Sequence, residues 1–77
     1  MSAASDLFVD QLYEMSEGNI RPFDRYTVGH QIGLDREQTD AVVEELSGTR
    51  RIQKMEGTVV MLTPQEKNLL DDAKGLK

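Results

Sequence analysis

The sequence predicts an α+β fold with a three-helix core, a small antiparallel sheet and a short C-terminal helix. Two observations predict it. Apolar residues recur at helical spacing up to about residue 47, in stretches that open on capping signals, and beyond that point the apolar period changes to two. With 77 residues and no cysteine, the chain is expected to form one domain, 1–77, stabilised by packed apolar side chains. Residues 1–5 and 75–77 are expected to be flexible.

The first periodic segment predicts a helix from about Asp6 to Glu17, with Ser5 as its N-cap and Phe8, Leu12 and Met15 facing the core. Because a proline disfavours helical conformation in the residue before it, Ile20–Pro22 is predicted to be extended. A short extended piece between two helices is typical of an edge strand, so we expect the first strand of the sheet here.

Two helices joined by a tight turn are predicted next. Asp24 is a good N-cap for a helix over Arg25–Ile32. The capping box Asp35-x-x-Gln38 then starts a third helix, predicted over Arg36–Ser47, with Gly48 as its C-terminal breaker. Two short helices with so short a connection are the pattern of a helix-turn-helix.

A β-hairpin is predicted after the third helix, with strands at Arg50–Lys54 and Thr58–Leu62. Cross-strand partners share one face of a sheet, so a three-residue loop ending on Gly57 keeps apolar and polar partners apart. On this register Ile52, Val60 and Leu62 face the core. The outward residues are then Arg51, Gln53, Val59 and Met61.

A short terminal helix completes the predicted fold. Thr63–Glu66 reads as a capping box with proline at the first helical position, and Gly75 ends the helix. The helix is expected to contribute Leu69, Leu70 and Ala73 to the core.

The stretch from Phe23 to Leu70 resembles the winged helix-turn-helix superfamily, and most nearly its transcriptional regulators of the multiple-antibiotic-resistance (MarR) type. In this resemblance the β-hairpin is the wing, and Gly29 stands where the family usually has alanine, a small residue that lets two helices cross closely. The residues that carry the resemblance are Val28–Asp35, Val42 and Val43 with Leu46, Ile52, and Leu62–Pro64.

The resemblance implies a DNA-binding transcriptional regulator whose third helix enters the major groove of double-stranded DNA. The residues expected to bind nucleic acid are Arg36, Gln38, Arg50, Arg51 and Lys54. Charge argues against this function. The net charge is −5 and the pI about 4.7, and the third helix with its cap carries five carboxylates against one arginine. Such a helix is repelled by the phosphates of a duplex.

The alternative function is a winged-helix module that binds another protein, as a homodimer or a small subunit, through the acidic third helix and the wing. Exposed apolar residues beside a polar rim are typical of protein contacts, and methionine adapts well to such surfaces. The residues expected at this interface are Met55, Val59 and Met61. A solvated acidic face and ordinary exposure of single apolar residues remain simpler interpretations of the same features.

The sequence offers no chemistry for an enzyme. His30 is the only histidine, and there is neither cysteine nor a glycine-rich phosphate loop, so we expect no metal, no cofactor and no catalytic residue. Paired carboxylates such as Glu44 and Glu45 diverge around a helix and do not form an acid/base pair. Without a signal peptide or a long apolar run, we expect a soluble, cytoplasmic protein that does not enter a membrane.

Overall fold

The computed structural model describes residues 3–75. In that part of the chain it contains four helices and three strands, and the strands form one antiparallel sheet in the order β1-β3-β2. The elements are α1 (Ala3–Met15), β1 (Phe23–Asp24), α2 (Arg25–Gln31), α3 (Arg36–Gly48), β2 (Ile52–Lys54), β3 (Val59–Leu62) and α4 (Pro64–Lys74). The predicted α+β class and the predicted order of elements are confirmed.

The core lies where α1, α2 and α3 meet the inner face of the sheet. α1 supplies Phe8, Val9, Leu12 and Tyr13. Phe8 and Leu12 are four positions apart, as are Val9 and Tyr13, so all four side chains share one face of the helix. Met15, a predicted core residue, is only partly buried. The core also contains Val28, Val42, Val43, Leu46, Ile52, Val60 and Leu62.

α1 begins at Ala3, three residues before the predicted start. Ser5 is therefore not its N-cap, as predicted, but a fully buried residue within the helix. Its hydroxyl donates a hydrogen bond to Oε2 of Glu45 at 2.5 Å, which ties α1 to α3. Residues 1, 2, 76 and 77 of the ends that were expected to be flexible lie outside the described residues.

The first strand is Phe23–Asp24, so its predicted position at Ile20–Pro22 is wrong. Asp24 explains the difference because it serves two elements at once. Its carboxylate accepts the hydroxyl hydrogen of Thr58, next to β3, and the first free N–H groups of α2, from Tyr26 and Thr27. β1 therefore lies at the position where the Asp24 carboxylate can bond both to Thr58 and to the start of α2.

α2 and α3 follow the prediction to within one residue, with Asp24 as the N-cap of α2 and a capping box of Asp35 and Gln38 opening α3. Gly29 lies where the two helices cross. A Cβ atom on Gly29 would lie 2.2 Å from Oγ1 of Thr39, so the helices approach more closely than even alanine allows.

The hairpin has the predicted faces and a different register. Met55 N–H donates to the carbonyl of Val59 at 2.7 Å, so the loop is Glu56–Thr58 with Gly57 in its middle rather than at its end. A shift of two residues leaves every side chain on the same face. The three predicted core residues of the hairpin are therefore buried. The pairs are Ile52–Leu62, Gln53–Met61 and Lys54–Val60.

Thr63 caps the start of α4 and Gly75 ends it in the left-handed conformation, both as predicted. The predicted capping box is only half formed, because the hydroxyl of Thr63 accepts the N–H of Glu66 while the Glu66 carboxylate pairs with Arg51. Leu70 packs against the core. Leu69 and Ala73 were also predicted to be in the core, but both are exposed. The covered residues of α4 are instead Leu70 and the polar Glu66, Lys67 and Asp71. Polar contacts hold this side of α4 against the rest of the fold, among them a 2.6 Å hydrogen bond from the Tyr13 hydroxyl to Asp71. None of the helices within residues 3–75 has the length and apolar character needed to cross a membrane.

Candidate interaction surface

One stripe of α3 points directly away from the core. Its residues are exposed and are spaced by four, three and four positions, as expected for one side of a helix. Because two of them are alanine and glycine, the stripe is flat, and its charge comes from two glutamates. We call it the α3 outer face, and it consists of Glu37, Ala41, Glu44 and Gly48.

Two carboxylates of α3 outside this face, those of Asp40 and Glu45, are engaged with neighbouring helices. Oδ1 of Asp40 lies 2.7 Å from the hydroxyl of Tyr26 and 3.2 Å from Nη1 of Arg25. The hydrogen bond from the Tyr26 hydroxyl, followed by the contact with Arg25, lowers the pKa of Asp40 below its usual value. The same hydrogen bond raises the pKa of Tyr26. Glu45 accepts the hydroxyl of Ser5. Both acids were predicted to be outward charges, but in the structure Asp40 connects α3 to α2 and Glu45 connects it to α1.

The two predicted nucleic-acid contacts at the start of α3 also have local roles. The guanidinium of Arg36 lies 4.3 Å from the centroid of the Tyr26 ring, in a cation–π contact on the surface. The amide oxygen of Gln38 accepts the backbone N–H of Asp35 at 3.1 Å and so completes the capping box. Both residues are exposed.

Of the three predicted nucleic-acid contacts near the hairpin, Arg51 and Lys54 form ion pairs and Arg50 does not. Arg51 has only 16% of its side chain exposed, and it pairs with Asp6 at 3.0 Å and with Glu66 at 3.1 Å. This arginine joins α1 and α4 to the start of β2. Nζ of Lys54 lies 2.7 Å from Oε2 of Glu44, on the α3 outer face.

Arg50 differs from Arg51 in its exposure, its charge pairing and its backbone conformation. It is exposed, and no carboxylate of residues 3–75 pairs with it. Its φ of 62° places it in the left-handed region. The left-handed residue that follows α3 is therefore Arg50, whereas Gly48 was predicted to end the helix. Arg50 borders two shallow grooves. One is lined by Thr49, Arg51, Gln65, Glu66 and Leu69, and the other by Ser47, Ile52, Gln53, Lys54 and Thr63.

The predicted apolar contacts on the hairpin are less exposed than expected. Met55, at 39%, is exposed, but Val59 and Met61 are half-buried. Val59 is partly covered because β1 pairs with it through Asp24. Among the described residues, the large apolar side chains most exposed to solvent are instead Leu7 on α1 and Leu69 on α4.

No group of three or more His, Asp or Glu residues within positions 3–75 is arranged to hold a metal ion. His30 lies exposed on α2. No family model, curated protein or solved structure matches the chain.

The carboxylate of Asp24 makes the sheet sensitive to acid. The hydroxyl of Thr58, followed by the N–H groups of Thr27 and Tyr26, lowers the pKa of Asp24 below its ordinary value of 3.8. A lowered pKa in the folded state stabilises the fold above pH 3.8, and this stabilisation is lost as the pH falls further. We expect Asp24→Asn, which keeps the cap, to unfold at a lower temperature than wild type near pH 7. The difference should shrink towards about pH 2.

Thermal unfolding followed by circular dichroism between about pH 7 and pH 2 measures this difference. A gap between wild type and Asp24→Asn that stays constant over that range would show that the charge of Asp24 does not stabilise the fold.

Proposed function

We propose that this protein is a winged helix-turn-helix module that binds another protein, and not duplex DNA, through the α3 outer face and the adjoining hairpin. The element order and the β1-β3-β2 sheet support the winged-helix fold. In this arrangement α2 and α3 are the helix-turn-helix and β2 with β3 is the wing, as the resemblance to MarR-type regulators implies.

The observation that carries the proposal is the pairing of the cations. Between Ala3 and Gly75, every lysine and arginine except Arg36 and Arg50 has a carboxylate within 3.9 Å. Proteins that bind DNA strongly make about 6 to 10 phosphate contacts. Two unpaired cations, one at each end of α3, provide too few.

Releasing the paired cations towards DNA is unfavourable. Arg51 would have to leave Glu66, whose side chain is only 8% exposed, and an unpaired buried carboxylate is costly. Lys54 is easier to release because exposed ion pairs contribute about 1 kcal/mol or less. Its release, however, would leave the carboxylate of Glu44 facing the phosphates.

A protein partner suits the same surface. The flat α3 outer face allows a second backbone to approach closely. Glu37, which pairs with no lysine or arginine of residues 3–75, attracts a basic segment, since complementary charge guides association. Glu44 can exchange Lys54 for a cation of the partner at little cost, because their ion pair is exposed. Met55, exposed at the tip of the hairpin, adds an apolar side chain that adapts to its partner. We therefore expect the partner to present lysine or arginine residues to α3.

The proposal predicts that reversing the charge of the α3 outer face removes the partner. In affinity capture from an extract of the source cells, Glu37→Lys with Glu44→Lys should lose a protein that wild type retains. Binding measured by calorimetry with that purified protein should weaken at least about tenfold, which corresponds to 1.4 kcal/mol.

The matched control is Glu14→Lys with Glu17→Lys, which makes the same change in net charge on exposed residues in the last turn of α1 and just beyond it. The control should bind the partner within about twofold of wild type, because its charges lie away from the contact. Equal losses in both variants, or no loss in either, would reject the α3 outer face as the contact surface.

A further inference from the structure

We propose that Arg50 is a recognition residue for a carboxylate of the protein partner, and that the exposed Leu69 beside it receives an apolar side chain of the same segment. This inference rests on the proposed function and adds a second contact to it. The site is the groove between the end of α3 and α4, which Arg50 and Leu69 both line.

The backbone of Arg50 is the first observation. A φ of 62° is unfavourable for any residue with a Cβ atom, whereas glycine adopts it without steric cost. The conformation is held by the surroundings. The N–H of Arg50 donates to the carbonyl of Ser47 at 3.1 Å, and its own carbonyl accepts the hydroxyl of Thr63 at 2.9 Å. A strained backbone that carries a long side chain is typical of a position kept for function.

The guanidinium of Arg50 is the second observation. It is exposed, and no carboxylate of residues 3–75 pairs with it, although six of the eight lysine and arginine side chains in that range are paired. A guanidinium binds a carboxylate through two parallel hydrogen bonds. A partner carboxylate would therefore give Arg50 the ion pair that its neighbour Arg51 already has.

The composition of the groove is the third observation. Leu69 is 57% exposed, and arginine is among the residues that most often dominate the binding energy of protein interfaces. Glu66, the acid that lines the groove, does not repel an incoming carboxylate strongly, because Nε of Arg51 lies 3.1 Å from its Oε2. A nucleic-acid phosphate would make no apolar contact with Leu69, so the groove fits a peptide segment better.

The first test separates recognition from structure. Arg50→Gly relieves the strained backbone, so we expect its melting temperature to rise by about 3 °C after the flexibility of glycine in the unfolded chain is allowed for. Glu17→Gly is the matched control, because Glu17 is the other non-glycine residue with positive φ between Ala3 and Gly75. A structural role for the Arg50 side chain would instead lower the melting temperature of Arg50→Gly and would overturn the proposal.

The second test measures recognition with a blocked tripeptide, acetyl-Leu-Glu-Leu-amide, titrated into isotope-labelled protein and followed by NMR. The Nε–H signal of Arg50 and the methyl signals of Leu69 should shift and saturate. Binding should weaken at least fivefold for the matched peptide acetyl-Leu-Gln-Leu-amide and for Arg50→Gly, and it should be unchanged for Glu17→Gly. Equal responses to both peptides, or binding retained by Arg50→Gly, would overturn the assignment.

Failure of this inference is distinguishable from failure of the proposed function. At about 150 mM salt, where charges more than about 8 Å apart are screened, Glu37→Lys with Glu44→Lys should bind the tripeptide within about twofold of wild type. Partner capture without tripeptide binding would overturn only the Arg50 site. A DNA duplex that shifts the Arg50 signal when the tripeptide does not would replace the carboxylate with a phosphate and would overturn both.

Discussion

Arg51→Met is expected to lower the free energy of unfolding by about 3 kcal/mol. Arg51 is the partner of Glu66, which has only 8% of its side chain exposed, and it also pairs with the half-exposed Asp6. Removing the guanidinium leaves the Glu66 carboxylate buried without its cation, which costs more than the ion pair itself contributes. Urea or guanidinium denaturation measures the change.

A double-mutant cycle isolates this cause. Arg51→Met combined with Glu66→Leu should be more stable than Arg51→Met alone by at least about 1 kcal/mol, because no unpaired carboxylate remains. A loss below about 1 kcal/mol in the single variant, with additive effects in the cycle, would show that Arg51 is a surface cation after all and available to a ligand.

Gly29→Ala is expected to destabilise the fold by about 2 kcal/mol. In an isolated helix this change is favourable by about 1 kcal/mol, so the expected sign depends entirely on the crossing of α2 with α3. The new Cβ would lie 2.2 Å from Oγ1, 3.1 Å from Cγ2 and 3.2 Å from Cβ of Thr39. Either the threonine must rotate or the helices must separate.

Thr39→Ala provides the rescue. Oγ1 of Thr39 is buried and has no hydrogen-bond partner within residues 3–75, so its removal forfeits only packing contacts. Gly29→Ala with Thr39→Ala should therefore regain at least about 1 kcal/mol relative to Gly29→Ala. If Gly29→Ala is neutral or stabilising, the close crossing of the two helices is not a feature of the protein in solution.

The parts of the fold that were predictable from sequence depend on bonds between near neighbours. The caps at Asp24, Asp35 with Gln38, and Thr63 each join residues two or three positions apart, so the local sequence specifies them. The faces of the hairpin follow from the alternation of its residues. Its register does not, because a shift of two residues preserves both faces.

The parts that were not predictable depend on contacts between distant residues. β1 lies three residues later than expected because Thr58, 34 positions away, meets Asp24. Arg50 and Arg51 are adjacent residues of the same type, yet only Arg51 forms an ion pair with Asp6, which lies 45 positions away in the sequence. Gly48 was predicted to end α3, but the helix includes Gly48 and the left-handed residue after it is Arg50. Candidate cations can be found by sequence, but their partners require the fold.

Binding of a fluorescent duplex of about 30 base pairs at about 50 mM salt, where phosphate contacts are strongest, tests the central claim most directly. We expect no binding by wild type up to about 100 μM protein. Glu37→Lys with Glu44→Lys should bind, because it removes two carboxylates, adds two cations and releases Lys54 from its 2.7 Å ion pair. Salt-sensitive binding of the duplex by wild type with a Kd of about 10 μM or below would contradict the proposal that this protein is a winged-helix module that contacts protein and not DNA.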